Sequence, residues 1–276
     1  MKRIFAAVLT LATALLLGPA LAHAAPPAPE GKAVYVDNFD DKGARSGLES
    51  NLKGDETFSR GFHGPGGVYQ MELRQTNDTR AVFFPDQTYG QVSVKIEIWD
   101  YSDAKTGDVS HGVVFRAQDP THYYAALVDS RKQQFAIRKL DGTTWSDLVA
   151  WKPAAVIKQK DEHNFLRVDA SGNTFTAYVN DEMVGTVQDS AYPKGQIGFI
   201  VSNVDAPKPH YHFDNIEVYS TEPGPKLTTG TGSPSTLPTS GVPATGTSLA
   251  LLILALALSG LGLWVRTRRS AASRVE

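Results

Sequence analysis

Between Lys32 and Thr221 apolar residues recur at every second position, not at the 3.6-residue spacing of a helix. Val92, Val94, Ile96 and Ile98 alternate with Ser93, Lys95, Glu97 and Trp99, so one face of this strand is bound for a core and the other is not. Leu166 and Val168 alternate with Arg167 and Asp169 in the same way. Ser171-Gly172-Asn173 then turns the chain into Phe175, Ala177 and Val179, and Asn180-Asp181-Glu182 turns it again into Met183–Val187. Asp141-Gly142, after the apolar Phe135–Leu140, is a further hairpin signal. Other predicted strands are Ala33–Phe39, Val68–Gln75, Arg80–Phe84, Val109–Ala117, His122–Asp129, Gly195–Ser202 and Tyr211–Tyr219, giving about eleven to thirteen in all. No segment of this block has helical periodicity. The pattern predicts an all-β antiparallel sandwich over residues 32–221, with one core between two sheets.

The two ends follow other rules. Lys2 and Arg3, an apolar run from Ile4 to Leu17, Gly18-Pro19 and the small-residue site Ala22-His23-Ala24 read as a secretory signal peptide over 1–24, cleaved after Ala24. A Pro-rich spacer follows at 25–31. From 222 to 247 the composition collapses to Thr, Pro, Gly and Ser. Such a stretch buries too little to offset its chain entropy and is expected to be a disordered stalk, roughly 30 Å end to end. Ser248 to Val265 carries no charge, and as an α-helix it would be roughly 27 Å long, a transmembrane length. Arg266, Arg268 and Arg269 open a basic tail over 266–276 that the positive-inside rule keeps in the cytoplasm. Just before the span stand Leu237-Pro238-Thr239-Ser240-Gly241 and Val242-Pro243-Ala244-Thr245-Gly246. With the span and the arginines, these resemble the Leu-Pro-x-Thr-Gly cell-wall sorting signal. The first has Ser240 where Thr is usual, the second Val242 where Leu is usual. The resemblance implies a sortase-type transpeptidase as partner, cutting between Thr245 and Gly246. The domain is then expected on the extracellular face of the envelope, anchored by wall or membrane.

Composition narrows the chemistry. The chain has no cysteine, which excludes disulfides, thiolate metal sites and a cysteine nucleophile. Its net charge of −2 offers no basic surface for nucleic acid, and most of the terminal charges are basic, so the middle is more acidic still. No phosphate-cradling loop, dinucleotide fingerprint or Gly-x-Ser-x-Gly elbow is present.

Six strings stand in a familiar order: Asp37-Asn38-Phe39-Asp40-Asp41, Gly112-Val113-Val114-Phe115-Arg116, His122-Tyr123-Tyr124-Ala125-Ala126-Leu127, Tyr178-Val179-Asn180-Asp181, Gly195-Gln196-Ile197-Gly198-Phe199 and Phe213-Asp214-Asn215-Ile216-Glu217-Val218. Together they resemble the concanavalin A-like lectin/glucanase jelly rolls, nearest to laminin-G-like modules and 3-keto-disaccharide hydrolase-like (family 16 glycoside hydrolase-like) domains. The resemblance implies a jelly-roll β-sandwich and speaks for fold more than function. The glucanases carry Glu-x-Asp-x-x-Glu on one strand. Here Glu97 and Asp100 face opposite sides, Trp99 replaces the central Asp and Ser102 the last Glu, so that carboxylate motif is absent.

Sugar recognition needs aromatic rings to stack on, with polar forks between them. Trp99, Tyr123, Trp145 and Trp151 are the candidate rings and Arg116 the candidate fork, with Trp145 and Trp151 expected in a connection at the mouth of a groove. Asp37, Asn38, Asp40 and Asp214 supply the hard oxygens that calcium prefers, and relatives in the resembled fold hold a structural calcium where first and last strands meet. His210, His212 and Asp214 share one face by their spacing, as zinc ligands do, though with no further ligand assigned. The sequence thus reads as a surface-anchored binding module without chemistry of its own, carbohydrate its first candidate ligand. A glycan-cleaving enzyme of the 3-keto-disaccharide hydrolase type and a structural envelope protein with a protein partner are the alternatives.

Overall fold

The computed structural model describes residues 25–222, apart from 41–45, 64–66, 86, 104–105 and 160. The readings of 1–24 and of 223–276, with Thr245 and Gly246, lie outside the described residues. Within them the alternation becomes strand, and no helix is present. The strands are β1 (Lys32–Asp37), β2 (Phe58–His63), β3 (Val68–Leu73), β4 (Asp78–Phe83), β5 (Val92–Asp100), β6 (Val109–Asp119), β7 (His122–Asp129), β8 (Gln134–Asp141), β9 (Thr144–Pro153), β10 (Asn164–Ser171), β11 (Thr174–Val179), β12 (Glu182–Gln188), β13 (Gln196–Asn203) and β14 (His210–Ser220).

They form two antiparallel sheets. The six-stranded sheet runs β4-β13-β6-β7-β8-β9. The eight-stranded sheet runs β12-β11-β10-β5-β14-β3-β2. In it β14 pairs with β3 through His210–Phe213 and with β1 through Ile216–Ser220, so the first and last strands are neighbours as expected. The asparagines and glycines read as turns from the sequence are in place. Asn180 and Asp181 have φ of 50° and 65°, and Gly142 and Gly172 also take left-handed conformations.

The core lies between the sheets. Val92, Val94, Ile96 and Ile98 of β5 and Tyr211, Phe213, Ile216 and Val218 of β14 meet Val113 and Phe115 of β6, Tyr124 and Ala126 of β7 and Phe199 of β13. Phe199 stacks on Phe213 across the gap, with ring centres 4.6 Å apart. Each such fully buried side chain contributes about 1.5–3 kcal/mol, which makes this interface the main source of stability. A second, smaller buried cluster lies on the outer face of the six-stranded sheet. It comprises Ala81, Phe83, Val114, Ala117, Tyr123, Ala125, Leu127, Leu140 and Ile200. A sheet with one solvated face would alternate apolar with polar; this sheet is apolar on both.

Two expectations are corrected here. Trp145 and Trp151 do not sit in a connection: they belong to β9, the edge strand of the six-stranded sheet. Arg116 is not on the outer face, although it follows the inward Phe115. A register irregularity between Phe115 and Asp119, with φ of 53° at Arg116, breaks the alternation and turns the side chain inward. There Nη2 donates to the carbonyls of Gly90 and Gly172, both at 2.6 Å, and Nη1 to that of Tyr192 at 3.3 Å. Its guanidinium also lies over the Phe175 ring at 5.0 Å. Arg116 is a clamp that ties three connections together and is closed to a ligand.

Candidate functional site

The outer face of the six-stranded sheet contains a cavity of about 390 Å³, within the usual range for small-ligand pockets of about 300–1,000 Å³. Leu127 of β7 and Ile200 of β13, members of the outer apolar cluster, form its floor. Trp145 and Trp151, half-buried and packed on the same cluster, form one wall. Their placement follows from irregularities in β9. Val149 pairs with Ile137 and packs on the inner core, and register shifts on either side of Ile137 let Trp145, Asp147 and Trp151 all face the cavity. Tyr123 does not line the cavity. It is fully buried behind Trp145, edge-on to it at 5.7 Å and to Phe83 at 6.1 Å, and burial pushes its phenol pKa up. It props the wall.

Polar groups are interleaved with this apolar surface. Arg138 of β8 donates from Nε to Asp147 Oδ1 of β9 at 2.6 Å, and its guanidinium sits 5.0 Å from the centre of the Trp145 ring. Thr79 and Ser202 pair their hydroxyls at 2.9 Å across β4 and β13. Ser110 and Gln134 add a hydroxyl and an amide. Asp129 accepts the backbone N–H groups of Arg131 and Lys132 at 2.9 and 3.0 Å. Burial outweighs those bonds and raises its pKa from 3.8 to about 6. The arrangement offers flat rings, hydroxyls, a planar cation and a carboxylate around an apolar floor, which is what a polyhydroxylated ring with apolar faces requires.

Of the five residues singled out as ligand-binding, the structure brings Trp145 and Trp151 to the cavity with Tyr123 behind them. Trp99 lies on the outer face of the other sheet, as its place opposite Val92 and Ile96 implied, stacked on His163 at 4.1 Å. Arg116 is internal. The polar pair beside these rings that sequence reading missed is Arg138 with Asp147. The hairpin at Asp141-Gly142 held the signal, since folding the chain about it sets Arg138 opposite Asp147 and Leu140 opposite Trp145.

The four calcium candidates do not fit that ion as a set. Asp37 is turned inward, accepting from the Tyr35 hydroxyl at 2.6 Å and the Phe39 N–H at 2.8 Å. Asn38 donates to Asp40 at 2.5 Å, and Asp214 accepts the N–H of Asn215 at 2.7 Å. Asp214 instead faces Glu97 across β14 and β5. Burial first, then the like charges of Glu97 and Asp40, raises its pKa to about 6. Among the described residues no three His, Cys, Asp or Glu side chains gather around one point as metal ligands.

No protein-family model matches the chain, and no curated protein does. Solved structures do. A protein of unknown function with galectin-like fold from Bacillus subtilis superposes with a TM-score of 0.52 at 12% identity, covering 68% of this chain and 96% of that one. The carbohydrate-binding module CBM66 from Bacillus subtilis gives 0.43 at 17% identity over 64% of this chain and 93% of that one. The β-glucanase of Bacillus licheniformis gives 0.44 at 11% identity over 67% and 97%. The first likeness shows the fold: an all-β antiparallel sandwich with a galectin-like arrangement. That class is broader than any one function.

Proposed function

We propose that this chain is a carbohydrate-binding domain displayed on the cell surface, and that its ligand lies in the groove of the six-stranded sheet. The observation that carries the reading is Trp145 and Trp151 on one edge strand, flanking a cavity of about 390 Å³ beside the paired Arg138 and Asp147. Rings of this kind stack on the apolar face of a sugar, while Arg138, Gln134 and the Thr79–Ser202 hydroxyls accept or donate at its rim. The leader at 1–24 and the sorting-type signal ending at Thr245-Gly246 support display outside the cell. A native C-terminus at Thr245, read by mass spectrometry, is the expected product of sortase cleavage.

The test uses residues 25–222, which hold all the described strands and both apolar clusters. Retention on a panel of insoluble and immobilised glycans is compared for the wild type, Trp151→Ala, Trp145→Ala and Trp99→Phe. Loss of at least about tenfold in affinity is expected for the first two, and no change for Trp99→Phe on the opposite sheet. Equal loss in all three, or no glycan retained, would refute the assignment. A second reading, glycan cleavage, is favoured by Asp129, a groove carboxyl that is half protonated near pH 6 and therefore able to act as an acid. Released sugar in the supernatant, abolished by Asp129→Asn, would establish that reading instead.

A further inference from the structure

The outer face of the eight-stranded sheet, on the far side of the sandwich from the groove, holds a different ensemble. Strand register lines up Trp99 of β5, His212 of β14 and Gln70 of β3 in one row across the sheet. His212 is stacked on Tyr101 at 4.5 Å and lies edge-on to Trp99 at 5.1 Å, so its ring has little freedom to turn. His210, two residues away on the same face, points Nε2 at the same spot. That atom lies 3.1 Å from His212 Nε2 and 3.1 Å from Gln70 Oε1.

Three ligand-type atoms therefore converge, and hydrogen bonding serves them poorly. In its neutral forms the His210 nitrogen is either a single donor or a single acceptor, so it cannot fully satisfy both the amide oxygen and the second imidazole nitrogen. Two imidazole nitrogens each about 2.0–2.1 Å from one ion stand about 3–3.4 Å apart, the spacing found here. His63, exposed at the end of β2, is a further imidazole nearby, its ring centre 6.3 Å from that of His212.

We propose that His210 Nε2, His212 Nε2 and Gln70 Oε1 form a binding site for a divalent late transition-metal ion, zinc or copper. The two imidazole donors suit both ions, and copper is expected to bind the more tightly. The protein supplies three donors, so any further coordination position falls to water. Asp214, on the same face, takes no part because it faces Glu97 one row along.

The full-length chain, produced without a histidine tag and held in mild detergent, is titrated with zinc chloride by calorimetry. Copper(II) is then used for electron paramagnetic resonance. One equivalent of zinc should bind, with affinity at least about tenfold weaker in His210→Gln and unchanged in His122→Gln, a histidine on the other sheet. His210 is only partly buried, so this variant keeps the fold, and an unchanged melting temperature without metal verifies it. The copper spectrum of the wild type should show hyperfine coupling to two imidazole nitrogens. Absence of stoichiometric binding, full affinity in His210→Gln, or a copper spectrum without nitrogen coupling each overturns the proposal.

Discussion

Replacing His111 with phenylalanine should change how the stability of this sandwich depends on pH. The imidazole is fully buried between the sheets, stacked on Tyr211 at 4.6 Å, with neither ring nitrogen hydrogen-bonded. Burial holds its pKa down from 6.5 to about 4, against the upward pull of Asp100 and with the help of Arg131. A depressed histidine pKa means that the unfolded chain takes up the proton first. The stability contributed by the neutral ring is then whole above pH 6.5 and is lost as the pH falls toward 4. Between pH 7 and pH 4.5 the loss amounts to about 2.4 kcal/mol. Phenylalanine keeps a stacked ring but takes no proton. His111→Phe should therefore gain about 2.4 kcal/mol on the wild type over that interval, whatever its offset at neutral pH. Urea unfolding of residues 25–222 at the two pH values, followed by tryptophan fluorescence, measures the difference. A difference constant to within about 0.5 kcal/mol would refute the argument. The comparison must be between variants, because other groups oppose His111 in the wild type. Asp129 and Asp214, both raised to about 6, stabilise the fold at low pH and lose that contribution as the pH rises through 6. Together they flatten the curve that His111 and His212 would otherwise steepen.

Two further variants probe the frame that holds the groove. Arg116→Leu leaves the carbonyls of Gly90, Gly172 and Tyr192 without their donor and should cost about 3 kcal/mol in urea unfolding, with Arg116→Lys recovering little because one ammonium cannot span all three. Gly112→Ala would put a Cβ 2.0 Å from the carbonyl oxygen of Ala126 on β7, so a backbone must move; a loss of about 2 kcal/mol or more, with a correspondingly lower melting temperature, is expected.

The inner face of β5 is legible from sequence because Val92 to Ile98 alternate without a break, and the hairpins announce themselves through residues that tolerate left-handed backbone. The same rule misplaces Arg116, since a single bulge reverses which face the following residue takes. It also misses β9, whose Leu148 and Val149 are adjacent apolar residues and read as a loop. The groove was half legible: its tryptophans stand out by type, whereas Arg138 and Asp147 are ordinary charges until the hairpin register sets them side by side. Gly112, Gly195 and Gly198 belong to strings that mark the fold, yet their reason is tertiary. Each lies within 2.4 Å, at its missing Cβ, of a neighbouring strand's carbonyl or peptide backbone.

Strand β9 has one hydrogen-bonded neighbour, β8, and its register to that neighbour slips twice. Both tryptophans of the groove therefore stand on the margin of the sheet and not on its rigid middle. Opening of such a margin demands far less free energy than global unfolding. Whatever occupies the cavity would knit β9 to the central strands from the outside, supplying a tether that the backbone alone does not. Selection acting on affinity would then have two separate handles. One is the set of side chains that touch the ligand. The other is how firmly an otherwise loosely sewn hem is held before the ligand arrives.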